Sequence, residues 1–489
     1  MEGQQNTGKK RLIEVVNRDQ MTWAAVDVER LIGEDHPARA IWALVGRLDL
    51  SGFEEGIGST EEAGGRPAKD PQLLISLWIY AYSVGIGKAR EVTRRCEYDP
   101  AFQWLTGMRV VNHHTLSDFR VGHQKALDEL FTQILGLLSA EGLITLEEVT
   151  QDGTKIKALA SGKSFHREAT IRKHLARAQQ QVEAMGDPRE ETESRQRQQA
   201  RARAQREREQ RLQAALAELE KLGKGKSGEE EARASSSDPQ ARRMKQADGG
   251  YAPSYNVQIT SDMAYGMILD VAISQEGNDS HQLLPAVERI EQRLQEKPKA
   301  IVADGDYTNR KNVELMAEKQ VEFVGSLRRE AEEGGGRLPA SAFGYAPDGD
   351  FYICPEGKIL KLEGCHPKGD DKERYSYRAC WEDCQSCQRK PQCCPKNEKA
   401  GRGLIRIPDS VAMAAFRKKM ASAQAQAQYR HRGPVAEFCH AWIKSKLGLR
   451  QFHVRGRVKT RLEMLWVCLT YNLQQWIRLT RLAAVPLAS

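Results

Sequence analysis

The sequence has no long apolar run, and aromatic residues make up only 7% of its 489 residues. Its longest apolar stretch, LLISLWIYAYSVGIG at 73–87, is shorter than the ~20 residues that a membrane-spanning helix requires. The first residues, MEGQQNTGKKRLIEVV, are polar and charged and lack the apolar segment of an export signal. These absences argue against membrane and secreted proteins, so a cytoplasmic location with no membrane partner is expected.

Disulfides are not expected either, although the sequence contains ten cysteines. Without an export signal, cysteines in a long chain favour reduced thiols or bound metal. The length exceeds that of one ordinary hydrophobic core, so several modules are expected. The formal charge of +8 is compatible with a polyanionic partner such as DNA but does not by itself indicate one.

Residues 1–143 predict an all-helical N-terminal domain, because apolar residues recur there at steps of three and four. Thr115 and Asp118 are spaced like a capping box that opens a long helix. A preceding short helix that ends near Gly107 would make this a helix-turn-helix-like pattern, with Arg120 on the second helix. Any helical domain contains such pairs, so Arg120 is either a DNA contact or an ordinary helix residue.

Strand patterns follow the helical part, and they alternate with helical patterns. The strands are predicted at 144–156, 254–260, 265–274, 299–307 and 321–327, with helices before and after the fourth. This order predicts an α/β fold with a mixed sheet, built from residues 144–164 and 236–329 and completed by residues 406–489.

Two insertions interrupt this core. Residues 165–235 are rich in Arg, Gln, Glu and Ala. Two long helices joined near 186–188 would fit this insertion, and so would a partly disordered charged arm. Residues 330–405 hold seven of the ten cysteines and form a separate Cys-rich insertion.

Carboxylates at strand ends are the first candidates for chemistry. Asp152 and Asp304 lie at or just past the carboxyl ends of predicted strands, which is the edge where open α/β sheets form their sites. Two such carboxylates suit Mg²⁺, and a third would allow the two ions ~3.5–4 Å apart that support phosphoryl transfer. Glu437 is the candidate for the third.

Glu437 lies in the stretch QYRHRGPVAEFCHAWIK at 428–444. Pro434 is expected at the first position of a helix, which places Glu437 in the first turn, where the helix dipole favours a carboxylate. Lys444 follows seven residues later, near two full turns, and is expected on the same face. A surface ion pair is the simpler interpretation of Glu437 and Lys444.

Motifs along nearly the whole chain carry a family resemblance. They are GRPAKDPQLLISLWIYAYSVGIGKAREV, NHHTLSDFR, TQDGTKIKA, DPQARRMK, GGYAPSYNVQI, NDSHQLLP, VADGDY and YRHRGPVAEFCHAWIKSKLGLRQFHVRG. In this order they resemble the DDE transposases of bacterial insertion sequences, in particular the long-chain group with a cysteine-rich insertion.

The resemblance implies an RNase H-like core in which Asp152, Asp304 and Glu437 hold two Mg²⁺ or Mn²⁺ ions. It further implies cleavage of DNA at the terminal inverted repeats of the transposon and strand transfer of the freed 3′-hydroxyls into target DNA. A homodimer on DNA is expected, because two ends must be brought together. The helical N-terminal domain would bind the DNA ends or mediate dimerisation.

Related transposases have a Tyr-x2-Arg-x3-Glu-x6-Lys signature, to which Tyr429, Arg432, Glu437 and Lys444 correspond. Four residues rather than three separate Arg432 from Glu437. In these roles Arg432 and Lys444 would neutralise charge at the scissile phosphate. Tyr429 would contact a phosphate or a terminal base, or else pack in the core.

The motif VADGDY departs from the family, which more often has glycine before the tyrosine. Asp306 is therefore a rival to Asp304 as second ligand, since both would face the same side of a strand. Asp279, Asn256 and Gln258 also match family motifs, and hydrogen bonding within turns and strand ends is the alternative to substrate contact.

Two further patterns concern charge and metal. A basic run after the Glu437 segment includes Arg455, and it is either a solvated face or a set of phosphate contacts. Cys380, Cys384, Cys387 and Cys393 have the spacing C-x3-C-x2-C-x5-C, which suits a structural Zn²⁺ site, and Cys354 could replace one of them.

The sequence thus predicts a DNA transposase. The alternatives are a catalytically idle or domesticated DNA-binding relative and an RNase H-like nuclease that cuts without joining.

Overall fold

A computed structural model describes most of the chain. The described residues are 18–19, 21, 25–55, 57–58, 67–184, 195–223, 232–326, 337–367, 373–394 and 400–484. Of the helices in these ranges, none combines the length and the apolar composition needed to cross a bilayer.

The N-terminal part is helical, as predicted. Its α-helices are α1 (Pro37–Val45), α2 (Ser51–Glu54), α3 (Pro71–Ser83), α4 (Ala89–Tyr98), α5 (Pro100–Thr106), α6 (His113–Gly122) and α7 (Gln124–Ala140), preceded by a 3₁₀ turn at Val28–Leu31. Proline opens α1, α3 and α5, and the side chain of the residue before each proline accepts a hydrogen bond from the first turn.

The predicted capping box at Thr115 is wrong. α6 begins two residues earlier, because the side-chain oxygen of Asn112 accepts a 2.8 Å hydrogen bond from the backbone N–H of His114. The expected long helix is also divided, since the backbone leaves helical geometry at His123 between α6 and α7.

The middle of the chain forms the predicted mixed sheet and the first insertion. Its strands are β1 (Glu148–Lys157), β2 (Phe165–His166), β3 (Ala234–Ser235), β4 (Arg242–Lys245), β5 (Tyr251–Asp262), β6 (Ile268–Ser274), β7 (Ala300–Ala303) and β8 (Glu322–Gly325). Its helices are α8 (Glu168–Ala184), α9 (Arg195–Gly223), α10 (Leu283–Leu294) and α11 (Arg310–Glu318).

The strand order places β1 at the centre of the sheet. β5 is antiparallel to β1 and carries β4 and β6 along its other edge, whereas β7 is parallel to β1 and β8 is parallel to β7. The antiparallel strands β4, β5 and β6 on one side of β1 and the parallel strands β7 and β8 on the other confirm the mixed α/β expectation.

The two helices of the first insertion confirm one of the two alternatives for residues 165–235. α8 and α9 pack on each other through small and apolar side chains: Ile171, Ala178, Leu212, Ala215 and Leu219. Residues 185–194, which include the expected turn at 186–188, lie outside the described residues.

The second insertion forms an antiparallel sheet of its own, which the sequence did not predict. Its elements are β9 (Gly344–Ala346), β10 (Phe351–Ile353), β11 (Ile359–Cys365), β12 (Tyr375–Ala379), α12 (Trp381–Gln385), α13 (Lys390–Cys393) and β13 (Gly403–Arg406). The strand order is β13-β12-β11-β10-β9.

The C-terminal part consists of helices that hold the molecule together. They are α14 (Val411–Met420), α15 (Ala423–Ala441), a π-helical turn (Trp442–Lys446) and α16 (Arg457–Ala484). α16 packs against α3, α6 and α7 on one side and β6 on the other, so the N-terminal helices and the sheet share one hydrophobic core.

The expectation that Pro434 opens a helix is wrong. α15 begins eleven residues earlier at Ala423, where the Ser422 hydroxyl accepts a hydrogen bond from the backbone N–H of Ala425, and Pro434 lies inside the helix. Glu437 consequently lies far from the N-terminal turn, and the favourable helix-dipole effect predicted there does not apply.

Candidate active site

Asp152 and Asp304 lie side by side on neighbouring parallel strands. β1 and β7 pair up to Gln151 and Ala303, and each aspartate follows directly on its own chain. Because adjacent strands lie ~4.8 Å apart, the two backbones remain close at this point. The structure therefore brings together the first two predicted carboxylates.

The expectation that Asp152 ends its strand is wrong in one respect. The antiparallel pairing with β5 continues from Val149 to Lys157, so β1 extends five residues beyond Asp152. Only the parallel pairing with β7 stops there. Asp152 thus lies at the edge of the parallel part of the sheet but in the middle of its own strand.

Burial disfavours the charge on both aspartates. It is the main cause that raises the pKa of Asp152, and the nearby carboxylate of Asp279 adds to the effect, while the guanidinium of Arg432 opposes it. The pKa of Asp304 is also raised, again mainly by burial and further by the charge of Asp152. Two half-buried carboxylates that repel each other are a suitable donor set for a divalent cation.

The expectation that Asp304 and Asp306 face the same side of a strand is wrong. The chain leaves β7 at Ala303 and turns, so that the backbone N–H of Asp306 donates a 2.8 Å hydrogen bond to Oδ1 of Asp304. Asp304 is half-buried beside β1, whereas Asp306 is exposed. Of the two carboxylates, Asp304 is therefore the more enclosed.

Glu437 is carried by α15, which packs against β1, β7 and β8. Ala436 and Cys439 are the buried residues on either side of it, but Glu437 itself is exposed. Among the described residues, no group of three or more His, Cys, Asp or Glu side chains is arranged to hold a metal ion. The structure therefore does not gather Glu437 with the two aspartates.

Lys444 faces β1 rather than Glu437. Its Nζ donates a 2.5 Å hydrogen bond to Oγ1 of Thr154, two residues beyond Asp152 on β1. The same-face expectation assumed 3.6 residues per turn, whereas Lys444 lies in the wider π-helical turn. Within the described part of the chain, the alternative of a Glu437–Lys444 surface ion pair is not observed either.

His440 is a site residue that sequence reasoning missed. Its Nδ1 lies 3.8 Å from Oδ2 of Asp152, and its side chain is 14% exposed. Burial, followed by the charges of Lys444 and Arg432, lowers the pKa of His440 to about 4, so the imidazole is neutral at pH 7. The signal that could have found it is its spacing of three residues from Glu437 on one helix.

Arg432 lies beside Asp152. Its Nη1 is 3.5 Å from Oδ2 of Asp152, and its guanidinium lies 5.7 Å from the ring of Tyr429. Nε and Nη1 of Arg432 are buried without a hydrogen-bond partner in the described structure. The ring of Tyr429 packs with Met263, Val302 and Val324, which agrees with the core-packing alternative.

A buried hydrogen-bond network lies behind the two aspartates. One carboxylate oxygen of Asp279 accepts hydrogen bonds of 2.6 Å from the side-chain amides of both Asn256 and Gln258. The hydroxyl of Tyr307, three residues after Asp304, donates to Gln258 at 2.5 Å. A Cβ on Gly153 would lie 2.6 Å from Asp279, so glycine is required directly after Asp152.

Arg120 and Arg455 differ in their availability to DNA. Arg120 is 5% exposed, donates a 2.6 Å hydrogen bond to the carbonyl oxygen of Gly87 and pairs with Glu463, so the prediction of a DNA contact by Arg120 is wrong. Arg455 is exposed, and its Nε donates to the carbonyl oxygen of Leu159. The contact of Arg455 with DNA therefore stays a prediction.

Three of the four cysteines predicted for zinc line one cavity in the second insertion, and the fourth does not. The cavity is lined by the thiol-bearing residues Cys354, Cys384, Cys387, Cys393 and Cys394. Cys380 is exposed, and its thiol donates a hydrogen bond to the carboxylate of Glu382, outside the cavity.

Comparison with known proteins identifies two transposase regions. A family model described as "Transposase DDE domain" matches residues 353–477, which include Glu437, and one described as "Transposase domain (DUF772)" matches residues 26–122 in the N-terminal helices. Residues 123–352, with Asp152 and Asp304, lie outside both matches. No curated protein matches the chain.

Among solved structures, the chain is similar to that of the piggyBac transposase in a cryo-EM structure of its synaptic complex with hairpin DNA. The similarity covers 92% of this chain and 77% of that chain, with 8% sequence identity and a TM-score of 0.33. A score this low carries no argument about function. Both family matches are to transposase domains, one over the N-terminal helices and one around Glu437, and together they support a DNA transposase function for this chain.

Proposed function

We propose that this transposase cuts DNA at the terminal inverted repeats of its own element and joins the freed 3′-hydroxyls to target DNA. Asp152, Asp304 and Glu437 are the proposed catalytic carboxylates. The observation that carries this assignment is the register of β1 and β7, which makes Asp152 and Asp304 neighbours at the point where the parallel pairing ends.

Divalent metal ions are the cofactors that DDE transposases generally use. The residues present fit such ions, because Asp152 and Asp304 are half-buried oxygen donors whose negative charges are disfavoured without a cation. Bound Mg²⁺ or Mn²⁺, two ions per site, would activate the attacking oxygen and stabilise the leaving oxygen in phosphoryl transfer. Glu437, on the helix that covers both strands, is the proposed third ligand.

The cations of α15 and the π-helical turn are proposed to balance the charge of the DNA phosphate. Arg432 lies 3.5 Å from Asp152, and two of its nitrogens are buried without hydrogen-bond partners in the described structure. Lys444 is tied to β1 through Thr154. Both cations therefore border the aspartates and favour a negatively charged group there.

DNA outside the reacting phosphate would be held by exposed basic residues, without sequence information. Arg450, Arg455, Arg457 and Lys459 are exposed along the segment before and into α16. Binding of the terminal repeats by the N-terminal helices, a homodimer on DNA and a cytoplasmic location complete the proposal. The domain boundaries predicted from the sequence also remain part of the proposal.

A pair of matched variants tests the assignment of the second aspartate. Asp304→Asn is expected to reduce cleavage of labelled DNA carrying the element's ends by roughly 100-fold or more in Mg²⁺ or Mn²⁺, with end binding retained, since a group that stabilises the transition state is lost. Asp306→Asn removes an exposed carboxylate two residues away and should change cleavage only a few-fold. Loss of cleavage in Asp306→Asn with activity retained in Asp304→Asn would overturn the assignment.

A further inference from the structure

The second insertion brings cysteines from distant parts of its sequence to one cavity. Cys354 follows β10, Cys384 lies in α12, Cys387 lies just after α12, and Cys393 and Cys394 lie at the end of α13. All five line the same cavity, together with Leu360 of β11 and Ala379 of β12. The two exposed cysteines of the insertion, Cys365 and Cys380, do not.

We infer that this cavity is a structural zinc site, with Cys354, Cys384 and Cys387 as three thiolate ligands and one of the adjacent Cys393 and Cys394 as the fourth. This set differs from the C-x3-C-x2-C-x5-C pattern by replacing Cys380 with Cys354. Four thiolates in tetrahedral coordination are the usual structural zinc site, which leaves no open position for catalysis. The site is separate from the aspartates and does not depend on the proposed reaction.

The turn at Cys354 has the backbone geometry that supports a thiolate ligand. In the sequence CPEGK, the backbone N–H of Lys358 donates a hydrogen bond to Sγ of Cys354 at 3.3 Å. Gly357 has a φ of +76°, a left-handed conformation that glycine adopts without strain, and its N–H donates to the carbonyl oxygen of Cys354 at 2.8 Å. Hydrogen bonds to the ligand atom orient metal ligands and stabilise their charge.

The thiols of the cavity are shielded from solvent. Cys394 is buried, and Cys354, Cys384, Cys387 and Cys393 are half-buried around the same cavity.

Positive side chains surround the sulfur atoms. Lys358, Lys390 and Arg402 line the cavity together with the cysteines. Asp383 also lines it and pairs with Lys358 at 3.0 Å, so Lys390 and Arg402 carry the excess positive charge. Arg402 is only 4% exposed and donates a 2.9 Å hydrogen bond to the carbonyl oxygen of Cys393. A zinc ion with four thiolates carries a net charge of −2, and these cations would offset it.

The insertion also needs an additional source of stability. Among its described residues, the buried hydrophobic core consists of five side chains, namely Phe343, Leu360, Tyr377, Ala379 and Leu404. A core this small rarely stabilises a fold alone, and small modules commonly add a structural metal. Zinc at the cavity would tie α12, α13 and the turn after β10 to the sheet. Among the residues that the structure describes, no group of three or more His, Cys, Asp or Glu side chains is arranged to hold a metal ion, so zinc binding would require the thiols to move closer together.

Metal analysis of the full-length protein tests the inference. Wild type purified without chelator is expected to contain about one zinc per chain, and Co²⁺ substitution should give a sulfur-to-cobalt charge-transfer band. Cys354→Ser, Cys384→Ser and Cys387→Ser should each lose the zinc and the band. Cys380→Ser and Cys365→Ser are matched controls that should keep both, and circular dichroism checks that every variant is folded.

The results that overturn the inference are distinct from any failure of DNA cleavage. Wild type without zinc and without the cobalt band contradicts the site. Zinc retained in Cys354→Ser and lost in Cys380→Ser contradicts the ligand set and restores the spacing of the sequence pattern. Zinc retained in a variant with both Cys393 and Cys394 changed to serine contradicts the fourth ligand.

Discussion

The carboxylate of Asp152 lies among groups with opposing charges. Arg432 stabilises its negative charge, while burial and Asp279 disfavour it. His440 lies 3.8 Å away and remains neutral, because burial and two neighbouring cations oppose its protonation. A divalent metal ion would add positive charge beside the two aspartates, and this charge would offset the cost of their burial.

His440 should make the stability of the protein depend on pH. Its pKa is about 4 in the folded protein and 6.5 ordinarily, so between these values the unfolded chain binds the proton more readily. Stability contributed by the neutral imidazole is present above pH 6.5 and is lost as the pH falls toward 4. We expect the free energy of unfolding to drop by on the order of 3 kcal/mol across this window.

Urea unfolding at pH 7 and pH 4.5 measures this effect. His440→Gln, which cannot be protonated, should lose correspondingly less stability than wild type between the two values. His281→Gln is the control, because the side chain of His281 is 66% exposed. An equal loss in wild type and His440→Gln would show that His440 is not held neutral.

At the level of elements, α15 determines where Glu437 lies. Pro434 inside α15 cannot donate a hydrogen bond to the carbonyl of Arg430 and crowds it, and the π-helical turn follows eight residues later. The helix nevertheless persists, because its buried face packs against β1, β7 and β8. Its geometry is thus set by packing rather than by local preference.

Replacing Pro434 tests this view of α15. Pro434→Ala is expected to raise the free energy of unfolding by about 1–3 kcal/mol, because it restores a helical hydrogen bond and relieves the clash. DNA cleavage should fall, because a change in the helix axis moves Glu437 relative to Asp152 and Asp304.

Gly433→Ala is the matched control for Pro434→Ala. A Cβ at Gly433 has no atom within 4 Å, so this variant should gain about 0.5–1 kcal/mol and keep its cleavage rate. Thermal unfolding and the cleavage rate are measured on the same samples. A loss of stability in Pro434→Ala would mean that the packing of α15 requires proline at this position.

The elements also show what the sequence could and could not predict. β5 was found because apolar Tyr255, Val257 and Ile259 alternate with polar residues. Asp304 was found because the buried apolar run AIVA of β7 ends directly before it. The strands of the second insertion were missed because they are short and partly exposed, as at Ile359 and Leu362. No residue pattern marks them as strands.

The errors around the site have a common physical cause. Gly433 and Pro434 are strong local signals for a helix start, but tertiary packing continues α15 through them. His440 and the Tyr307–Gln258 contact depend on which elements meet in space, which one sequence does not specify. Residue patterns in the sequence predicted Asp152, Asp304 and Glu437. The residues that surround them could be identified only from the folded structure.

At the scale of the whole molecule, α16 joins the N-terminal helices to the sheet. Glu463 on α16 is fully buried and pairs with Arg120 on α6, and the hydroxyl of Tyr82 on α3 donates to the same carboxylate at 3.2 Å. Glu463 also accepts a 2.8 Å hydrogen bond from the backbone N–H of His453. The two transposase regions identified by comparison meet at this cluster.

Glu463→Gln is expected to destabilise the whole protein. Removing one charge of a buried pair leaves Arg120 uncompensated, which costs roughly 3–5 kcal/mol. Glu147→Gln breaks an ion pair with Lys299 in which both side chains are at least 60% exposed, and it should cost at most about 1 kcal/mol.

Thermal unfolding followed by both calorimetry and circular dichroism measures the effect of Glu463→Gln. Because the N-terminal helices and the sheet share one core, the midpoint should fall as a single transition. Two separated transitions would mean that the N-terminal helices and the catalytic sheet are stable independently of the Arg120–Glu463 contact.

The most direct test of the account is DNA cleavage by Glu437→Gln, because Glu437 is the proposed ligand that lies apart from the aspartates. Labelled DNA with the element's own ends is incubated with Mg²⁺ or Mn²⁺ and with wild type, Glu437→Gln or the exposed control Glu147→Gln. All three proteins are expected to bind the ends, and only Glu437→Gln is expected to lose cleavage and strand transfer, by roughly 100-fold or more. Cleavage that persists in Glu437→Gln, or an absence of cleavage by wild type with either metal while end binding is intact, would contradict it.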